Sequence, residues 1–186
     1  MNIAMLYYDG FSGFETVIMA LLFKQHNLIS IALENREYRS EENQRYFFDQ
    51  LIQDVDVDGI DLLVIPGGDP ALLVDNQELK HFIQQLVAGN KKIAGICGGA
   101  SLLAGMGFLK GKRCTGMTSG VTSAYPSYSY YSESTVLDDY VVVDGNFITA
   151  QGQAYVEFAV ELGFQMGLYQ TSEEYEADLK WFKNIR

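Results

Sequence analysis

The 186-residue chain has few cysteines, few basic residues and no long hydrophobic run. Its two cysteines form no C-x-x-C pair, which excludes a disulfide framework and a zinc or thioredoxin-like motif and favours a reducing compartment. Lysine and arginine number 13 against 24 acidic residues, and the net charge of −11 makes nucleic acid and anionic membranes poor partners. The longest apolar run, Val17 to Phe23, is far shorter than the roughly 20 residues of a membrane helix.

We expect no export signal at the start of the chain. Met1 to Tyr8 include no basic residue, and Asp9 follows before a hydrophobic segment of the usual length is complete. The balance of 48% hydrophobic and 20% charged residues is typical of a globular protein, here one domain over residues 1–186. We therefore expect a cytoplasmic protein that acts on a small molecule, needs no metal or other cofactor, and binds neither nucleic acid nor membrane.

Short apolar runs alternate with longer amphipathic stretches, a pattern that indicates βαβ units. It predicts an α/β fold: a three-layer α/β/α sandwich of flavodoxin-like type around a mostly parallel sheet. The predicted strands are Ile3–Tyr7, Ile29–Leu33, Leu62–Ile65, Ile93–Ile96 and Phe147–Thr149, with weaker candidates at Arg45–Ile52, Arg113–Thr115 and Tyr140–Val143. The predicted helices are Phe14–Gln25, Gln77–Ala88, Gly98–Met106, Ala154–Met166 and Ser172–Lys183, the last preceded by a capping box, Thr171-x-x-Glu174.

One segment, Ser119 to Ser134, is rich in serine and tyrosine. Tyrosine rings pack while their hydroxyls stay available, as a pocket wall or an interface requires. The alternative is a solvated loop that happens to be aromatic, and the sequence does not decide between the two.

Unusual residues follow three of the predicted strands, where an open parallel sheet usually carries its chemistry. The first strand leads into the loop Asp9–Glu15, which places a carboxylate at a helix start. The third ends in Pro66–Asp69, where two glycines leave backbone N–H groups uncovered. The fourth runs into Gly95–Ala100. We expect the three segments to meet at one edge of the sheet.

The spacing Gly95-x-Cys97-x-Gly99 is typical of a nucleophile elbow. In that turn the central residue adopts a strained backbone conformation, and only small neighbours two positions away avoid a collision. The amides of Gly98 and Gly99 would begin the next helix, so the sequence predicts a lowered pKa for the Cys97 thiol. The alternative is a small apolar cysteine in a buried strand.

Four segments in this order resemble the ThiJ/PfpI superfamily, the class I glutamine amidotransferase-like proteins: Asp9–Glu15, Leu63–Gly68, Ala94–Ala100 and Asp144–Gly152. The resemblance implies that Cys97 is the reactive cysteine and that Glu15 is the acid contacting its sulfur. It also implies oxyanion-type amides at Gly68 and Gly98, and a homodimer. The residues Asp9, Gly67, Gly99 and Gln151 end strands or line turns at the same edge and are predicted to border the pocket.

The sequence departs from that family in its histidines. The protease-like branch has histidine directly after its cysteine, where this chain has Gly98, and other branches have one near the position of Cys114–Gly116. Only His26 and His81 exist, and His26, 11 residues beyond Glu15 on a predicted helix, would lie about 16 Å from it. A Cys-His-Asp triad is therefore not expected, and neither is proteolysis or glutamine hydrolysis by that route.

What remains is a pair, Cys97 and Glu15. Two negative charges in contact are unfavourable, so the carboxyl is expected to hold a proton and to act as general acid or base. Glu15 could otherwise be only an acid at a helix N-terminus. Three functions stay open: a cofactor-free hydrolase or lyase of the glyoxalase, deglycase or hydratase kind, a redox sensor through Cys97, and a glutaminase-like subunit that needs a partner.

Overall fold

The computed structural model describes residues 1–184. The strands are β1 (Asn2–Leu6), β2 (Asn27–Ala32), β3 (Tyr38–Arg39), β4 (Arg45–Tyr46), β5 (Gln50–Leu51), β6 (Leu62–Ile65), β7 (Lys92–Ile96), β8 (Arg113–Cys114), β9 (Thr135–Val136), β10 (Val141–Asp144) and β11 (Phe147–Ala150). The α-helices are α1 (Phe14–Leu22), α2 (Gln77–Ala88), α3 (Gly98–Gly105), α4 (Tyr155–Gln165) and α5 (Ser172–Phe182).

A seven-stranded sheet forms the centre, in the order β10-β11-β7-β6-β1-β2-β5. Its strands run parallel except β10, which pairs antiparallel with β11. Helices cover both faces, so the predicted α/β sandwich with a mostly parallel sheet is confirmed. The carboxyl ends of β1, β6 and β7 lie side by side and bring the three unusual segments to one edge.

Alternation along the strands divides the core into two layers. On β1, Ile3 and Met5 pack into a cluster with Phe158 of α4. Their neighbours Ala4 and Leu6 pack into the cluster on the opposite face, which includes residues of α2 and α3. Helices α1 and α4 therefore cover one face of the sheet, and α2 and α3 cover the other. Among residues 1–184, no helix combines the length and apolar character needed to cross a bilayer.

Most predicted elements differ from the structure by no more than two residues at either end, but two predictions were wrong by more. Helix α1 ends at Leu22 rather than Gln25, because the chain turns there and begins β2 at Asn27. The predicted strand Arg45–Ile52 is two short strands with different partners. Of these, β4 pairs with β3 in a separate hairpin, and β5 joins the edge of the main sheet beside β2.

The serine- and tyrosine-rich segment is partly buried in the core and partly exposed. Residues Pro126–Tyr131 form a 3₁₀ helix against α3. The Tyr131 side chain is buried, and its hydroxyl lies 3.0 Å from the Ser101 hydroxyl. Tyr128, three residues earlier, is 51% exposed. One side of this segment is therefore core, and the other faces solvent.

Candidate active site

Cys97 occupies the turn between β7 and α3, as the glycine spacing predicts. Its backbone angles are φ 55° and ψ −120°, a left-handed conformation that is strained for any residue with a side chain. The small neighbours are needed for space: a Cβ at Gly99 would overlap the carbonyl oxygen of Ile65, and one at Gly95 would lie 2.8 Å from the Ala100 nitrogen. The strand, the turn and the helix thus hold Cys97 at the sheet edge, where its side chain is partly exposed.

Backbone hydrogen bonds fix this turn to two other segments. The Cys97 amide donates to the Ala150 carbonyl at the end of β11, with a distance of 2.9 Å. The Cys97 carbonyl accepts from the Met117 amide at 3.1 Å, and the Gly152 amide donates to the Met117 carbonyl at 2.8 Å. The cysteine therefore lies in a closed network of main-chain contacts that leaves its orientation little freedom.

Glu15 lies in the first turn of α1 and is only 1% exposed. Its Oε2 accepts a hydrogen bond from the Gly67 amide at 2.6 Å. A Cβ added at Gly67 would lie 2.5 Å from Glu15 Oε2 and 2.9 Å from Cys97 Cβ. A Cβ at Gly152 would lie 2.9 Å from Glu15 Oε1 and 3.0 Å from Cys97 Sγ. Two glycines on opposite loops therefore enclose the pair of side chains.

Burial determines the protonation of this pair. It raises the pKa of Glu15 to about 7, against the opposing hydrogen bonds from the Gly67 amide and Cys97. Burial, and next the charge of Glu15, raise the pKa of Cys97 to about 12, although the Gly98 amide and Thr118 act in the opposite direction. The expectation of a lowered thiol pKa was therefore wrong, because one helix amide does not offset burial beside a carboxylate.

Above about pH 7 the two groups share one proton. The first proton leaves the pair near pH 7 and the second only far above it. A thiolate at neutral pH is thus available when its proton has moved to Glu15. This is the arrangement of a proton donor and acceptor in direct contact with a nucleophile.

Of the predicted oxyanion residues, Gly68 and Gly98 lie together. A Cβ at Gly98 would overlap the Gly68 carbonyl oxygen, so the loop after β6 and the start of α3 are in backbone contact. The Gly98 amide also lies close enough to the Cys97 sulfur to act against the rise of its pKa. Gly68 has a φ of 139°, and a Cβ there would lie 2.6 Å from the Tyr8 hydroxyl, so glycine is required at this position.

Of the other predicted pocket residues, some contact the Glu15–Cys97 pair and others do not. Gly67 contacts the pair, whereas Gly99 packs against the backbone of β6. Asp9 faces away from Cys97 and forms an ion pair with Arg36 at 2.7 Å, beside a separate cavity of about 270 Å³.

Gln151 is buried beside the site, and within residues 1–184 its side chain makes no hydrogen bond to Glu15 or Cys97. Its Nε2 donates to the Asp139 carbonyl at 3.2 Å, and its Oε1 accepts from Gln153 at 2.9 Å. The next residue, Gly152, faces the Cys97 sulfur instead. The site residue therefore lies one position after the predicted one: it is Gly152 and not Gln151.

Sequence reasoning missed Thr118 and Gly152. The Thr118 hydroxyl lies 3.9 Å from the Cys97 sulfur. It follows Met117, which has a left-handed φ of 59°. A signal for this position existed, because Thr118 comes shortly after Cys114–Gly116, near which some branches of the family have a histidine.

Neither histidine belongs to the site. His26 lies outside α1, in the turn before β2, so its placement on a long helix was wrong. That turn is at the amino ends of the parallel strands, whereas Cys97 is at the carboxyl ends. His81 is exposed on α2. Within residues 1–184, no three His, Cys, Asp or Glu side chains are grouped so that they could hold a metal ion.

Comparison with known proteins agrees with this geometry. The model of the DJ-1/PfpI family matches residues 1–163. YraA of Bacillus subtilis, named among the cysteine proteases, is 29% identical over 154 residues, which cover 81% of this chain and 88% of that protein. The deglycase TK1284 of Thermococcus kodakarensis is 27% identical over 154 residues, which cover 81% of this chain and 90% of the deglycase.

Solved structures show the same fold. The DJ-1 superfamily protein Atu0886 of Agrobacterium tumefaciens has a TM-score of 0.78 and 28% identity, covering 98% of this chain and 97% of its own. DJ-1beta of Drosophila melanogaster has a TM-score of 0.81 at 20% identity, with coverage of 100% and 98%. The family match over most of the chain, together with these structures, establishes that the chain belongs to the DJ-1/PfpI family.

Proposed function

We propose that the protein is a cofactor-free enzyme that converts a small α-oxoaldehyde into a 2-hydroxy acid, with Cys97 as nucleophile and Glu15 as its proton partner. The observation that carries the proposal is the contact between a thiol on a strained elbow and a buried carboxyl whose pKa is raised to about 7. A group with a pKa near the working pH both takes and returns a proton. The deglycase among the relatives supports a carbonyl substrate.

The first step is addition of the thiol to the aldehyde. The Cys97 sulfur attacks the aldehyde carbon, an S–C bond forms and the C=O π bond opens. The thiol proton passes by way of Glu15 to the new alkoxide, which gives a hemithioacetal. Gly68 and Gly98 are in backbone contact beside Cys97, and we expect their amides to donate to the developing alkoxide.

The second step moves hydrogen within the adduct. Glu15 transfers the proton of C1 to C2, and the proton of the C1 hydroxyl reaches the C2 oxygen. The product is a thioester of a 2-hydroxy acid on Cys97. Water then hydrolyses the thioester, which releases the acid and restores the thiol. The overall reaction consumes one aldehyde and one water and needs no oxidant.

The test is turnover of methylglyoxal. We expect formation of lactate above the rate without protein, and a thioester or hemithioacetal mass on the peptide that contains Cys97 after rapid acid quenching. Lactate at the background rate together with an unmodified Cys97 would overturn the proposal. Alkylating Cys97 beforehand serves as the control, because it removes the nucleophile without changing the chain.

A second candidate, a redox sensor, is favoured by a different observation. The Gly98 amide and the Glu15 carboxyl both lie close to the Cys97 sulfur, and an oxidised sulfur needs such donors. Peroxide would take the thiolate to a sulfenate with loss of water, and a second peroxide would take it to a sulfinate. Selective sulfinate formation at Cys97 by about two equivalents of peroxide, without methylglyoxal turnover, would favour this function.

The glutaminase-like alternative receives no support from the site. Hydrolysis of an amide at neutral pH needs a group that protonates the leaving nitrogen, which a histidine usually supplies. Both histidines lie outside the site, and Thr118 rather than an imidazole is next to the sulfur.

A further inference from the structure

Helix α1 has no N-cap of its own. The residue at the cap position is Gly13, which has no side chain to accept from the first amides of the helix. Helix amides without a cap are destabilising. Glu15 lies two residues further along, in the first turn. The position of its carboxyl therefore depends on how this helix end is held.

A carboxylate from another part of the chain supplies the cap. Glu42, in the turn between β3 and β4, accepts from the Phe14 amide through Oε1 at 2.8 Å and from the Gly13 amide through Oε2 at 3.2 Å. These bonds cross 28 and 29 residues of sequence. Although partial burial works the other way, the nearby Ser40 side chain and the hydrogen bonds from the Phe14 and Gly13 amides lower the pKa of Glu42, so it is charged at neutral pH.

The hairpin that carries Glu42 is itself fixed to the loop before α1. The Gly10 amide donates to the Arg39 carbonyl at 2.7 Å, and the Glu41 amide donates to the Phe11 carbonyl at 3.0 Å. A Cβ at Gly13 would lie 2.8 Å from the Tyr46 hydroxyl, so the hairpin packs against the helix end without spare space. The hairpin and the helix start are therefore joined by backbone hydrogen bonds and close packing.

We propose that Glu42 is a positioning residue for Glu15: it caps α1 from the β3–β4 hairpin and thereby holds the Glu15 carboxyl between the Gly67 amide and Cys97. The inference rests on the pairing of Glu15 with Cys97 in the proposed function and not on the substrate. The titratable groups around Glu15 are Cys97, Tyr8, Glu41 and Glu42. Only Glu42 among them hydrogen-bonds to the backbone at the start of α1.

The test measures the pH dependence of Cys97 alkylation in the absence of substrate. Glu42→Asp keeps the negative charge but shortens the side chain by one methylene, so it no longer spans both amides. Glu15 then loses its fixed, buried position, and its pKa moves toward the ordinary value. We expect the midpoint of the Cys97 alkylation profile, near pH 7 in the unaltered protein, to fall by about 0.5–1 pH unit.

Two controls separate this effect from others. Glu41→Asp makes the same shortening one residue away, where no hydrogen bond to the helix start exists, and the midpoint is expected to stay. In a Glu15→Gln background, Glu42→Asp is expected to change nothing, because its effect passes through Glu15. An unchanged midpoint in the Glu42→Asp single variant, or an equal shift in both backgrounds, would overturn the proposal.

Folding is monitored in the same samples. Cys114 is fully buried, so its alkylation reports any general loosening. If Cys114 becomes reactive in Glu42→Asp, the isosteric Glu42→Gln replaces it, and the smaller midpoint shift expected there must again vanish in the Glu15→Gln background. A lack of methylglyoxal turnover would contradict the proposed function and leave these alkylation profiles, and the inference drawn from them, unaffected.

Discussion

The two cysteines place the same side chain in two different surroundings. Burial raises the pKa of both thiols. Cys114 lies in the short strand β8 with none of its surface exposed. Cys97 lies on a left-handed turn, partly open to solvent, and contacts the carboxyl of Glu15. Solvent access to the sulfur and a neighbouring proton acceptor, rather than a low thiol pKa, therefore distinguish the candidate nucleophile from the structural cysteine.

The largest expected effect is the loss of turnover when Cys97, but not Cys114, is replaced. Cys97→Ala is expected to lower methylglyoxal turnover by about 10⁴-fold or more, because the reaction loses the atom that forms the covalent bond. Cys114→Ala removes a buried sulfur remote from the aldehyde and should keep turnover within about threefold at temperatures where it is folded. Initial rates of lactate formation give both numbers. Similar losses of turnover in the two variants would contradict the assignment of Cys97 as the nucleophile.

Next in size is the contribution of the proton acceptor. Glu15→Gln keeps the volume and an oxygen for the Gly67 amide but no longer exchanges a proton, so turnover should fall by about 10²–10⁴-fold. Glu78→Gln, at an exposed position in the first turn of α2, is the matched control and should be neutral. Normal turnover in Glu15→Gln would make Glu15 a helix-end acid without a catalytic role.

Thiol labelling sharpens the same comparison without any substrate. At pH 8 Cys97 should react with iodoacetamide about 10²-fold faster than Cys114, since only Cys97 is accessible and has a proton acceptor. The Cys97 rate should rise with pH through a midpoint near 7, set by Glu15, and then level off. Peptide mass spectrometry distinguishes the two sites. Equal rates in folded protein contradict the expectation.

The smallest expected effect is on stability. In the unfolded chain Glu15 ionises near its ordinary pKa of 4.5, whereas the folded protein keeps the proton up to about pH 7. The folded state therefore loses stability as the pH rises through this window, by about 2–3 kcal/mol between pH 5 and 8.5. Glu15→Gln should abolish this loss and be more stable than the unaltered protein at pH 8.5. Urea unfolding at the two pH values measures it, with Glu78→Gln again as control.

Much of the fold was predictable because strongly patterned segments have only one compatible structure. The strand Leu62–Ile65 and the helix Gln77–Ala88 have the predicted bounds. The former is a continuous apolar run, and the latter follows Asn76, whose side chain caps it. The short strands were less predictable. Two-residue strands such as β3 carry no periodic pattern, and only their partner across a turn defines them.

The site was predictable where backbone geometry restricts the residue type. Gly95 and Gly99 around Cys97 revealed the elbow, and Glu15 followed from the family resemblance. The sequence did not reveal the raised thiol pKa, which depends on burial by segments distant along the chain. Nor did it show that Asp9 pairs with Arg36, since strand ends at one edge can face different cavities. The homodimer and the substrate stay predictions.

The bond between Glu15 and the Gly67 amide joins residues 52 positions apart. Parallel strands need such long crossovers, and closing them is slow compared with forming a helix or a hairpin. During refolding, the pH-sensitive reactivity of Cys97 should therefore appear only after β1, β6 and β7 have paired, and later than the recovery of helical circular dichroism. The reactivity of the Cys97 thiol would in this way also report when folding is complete.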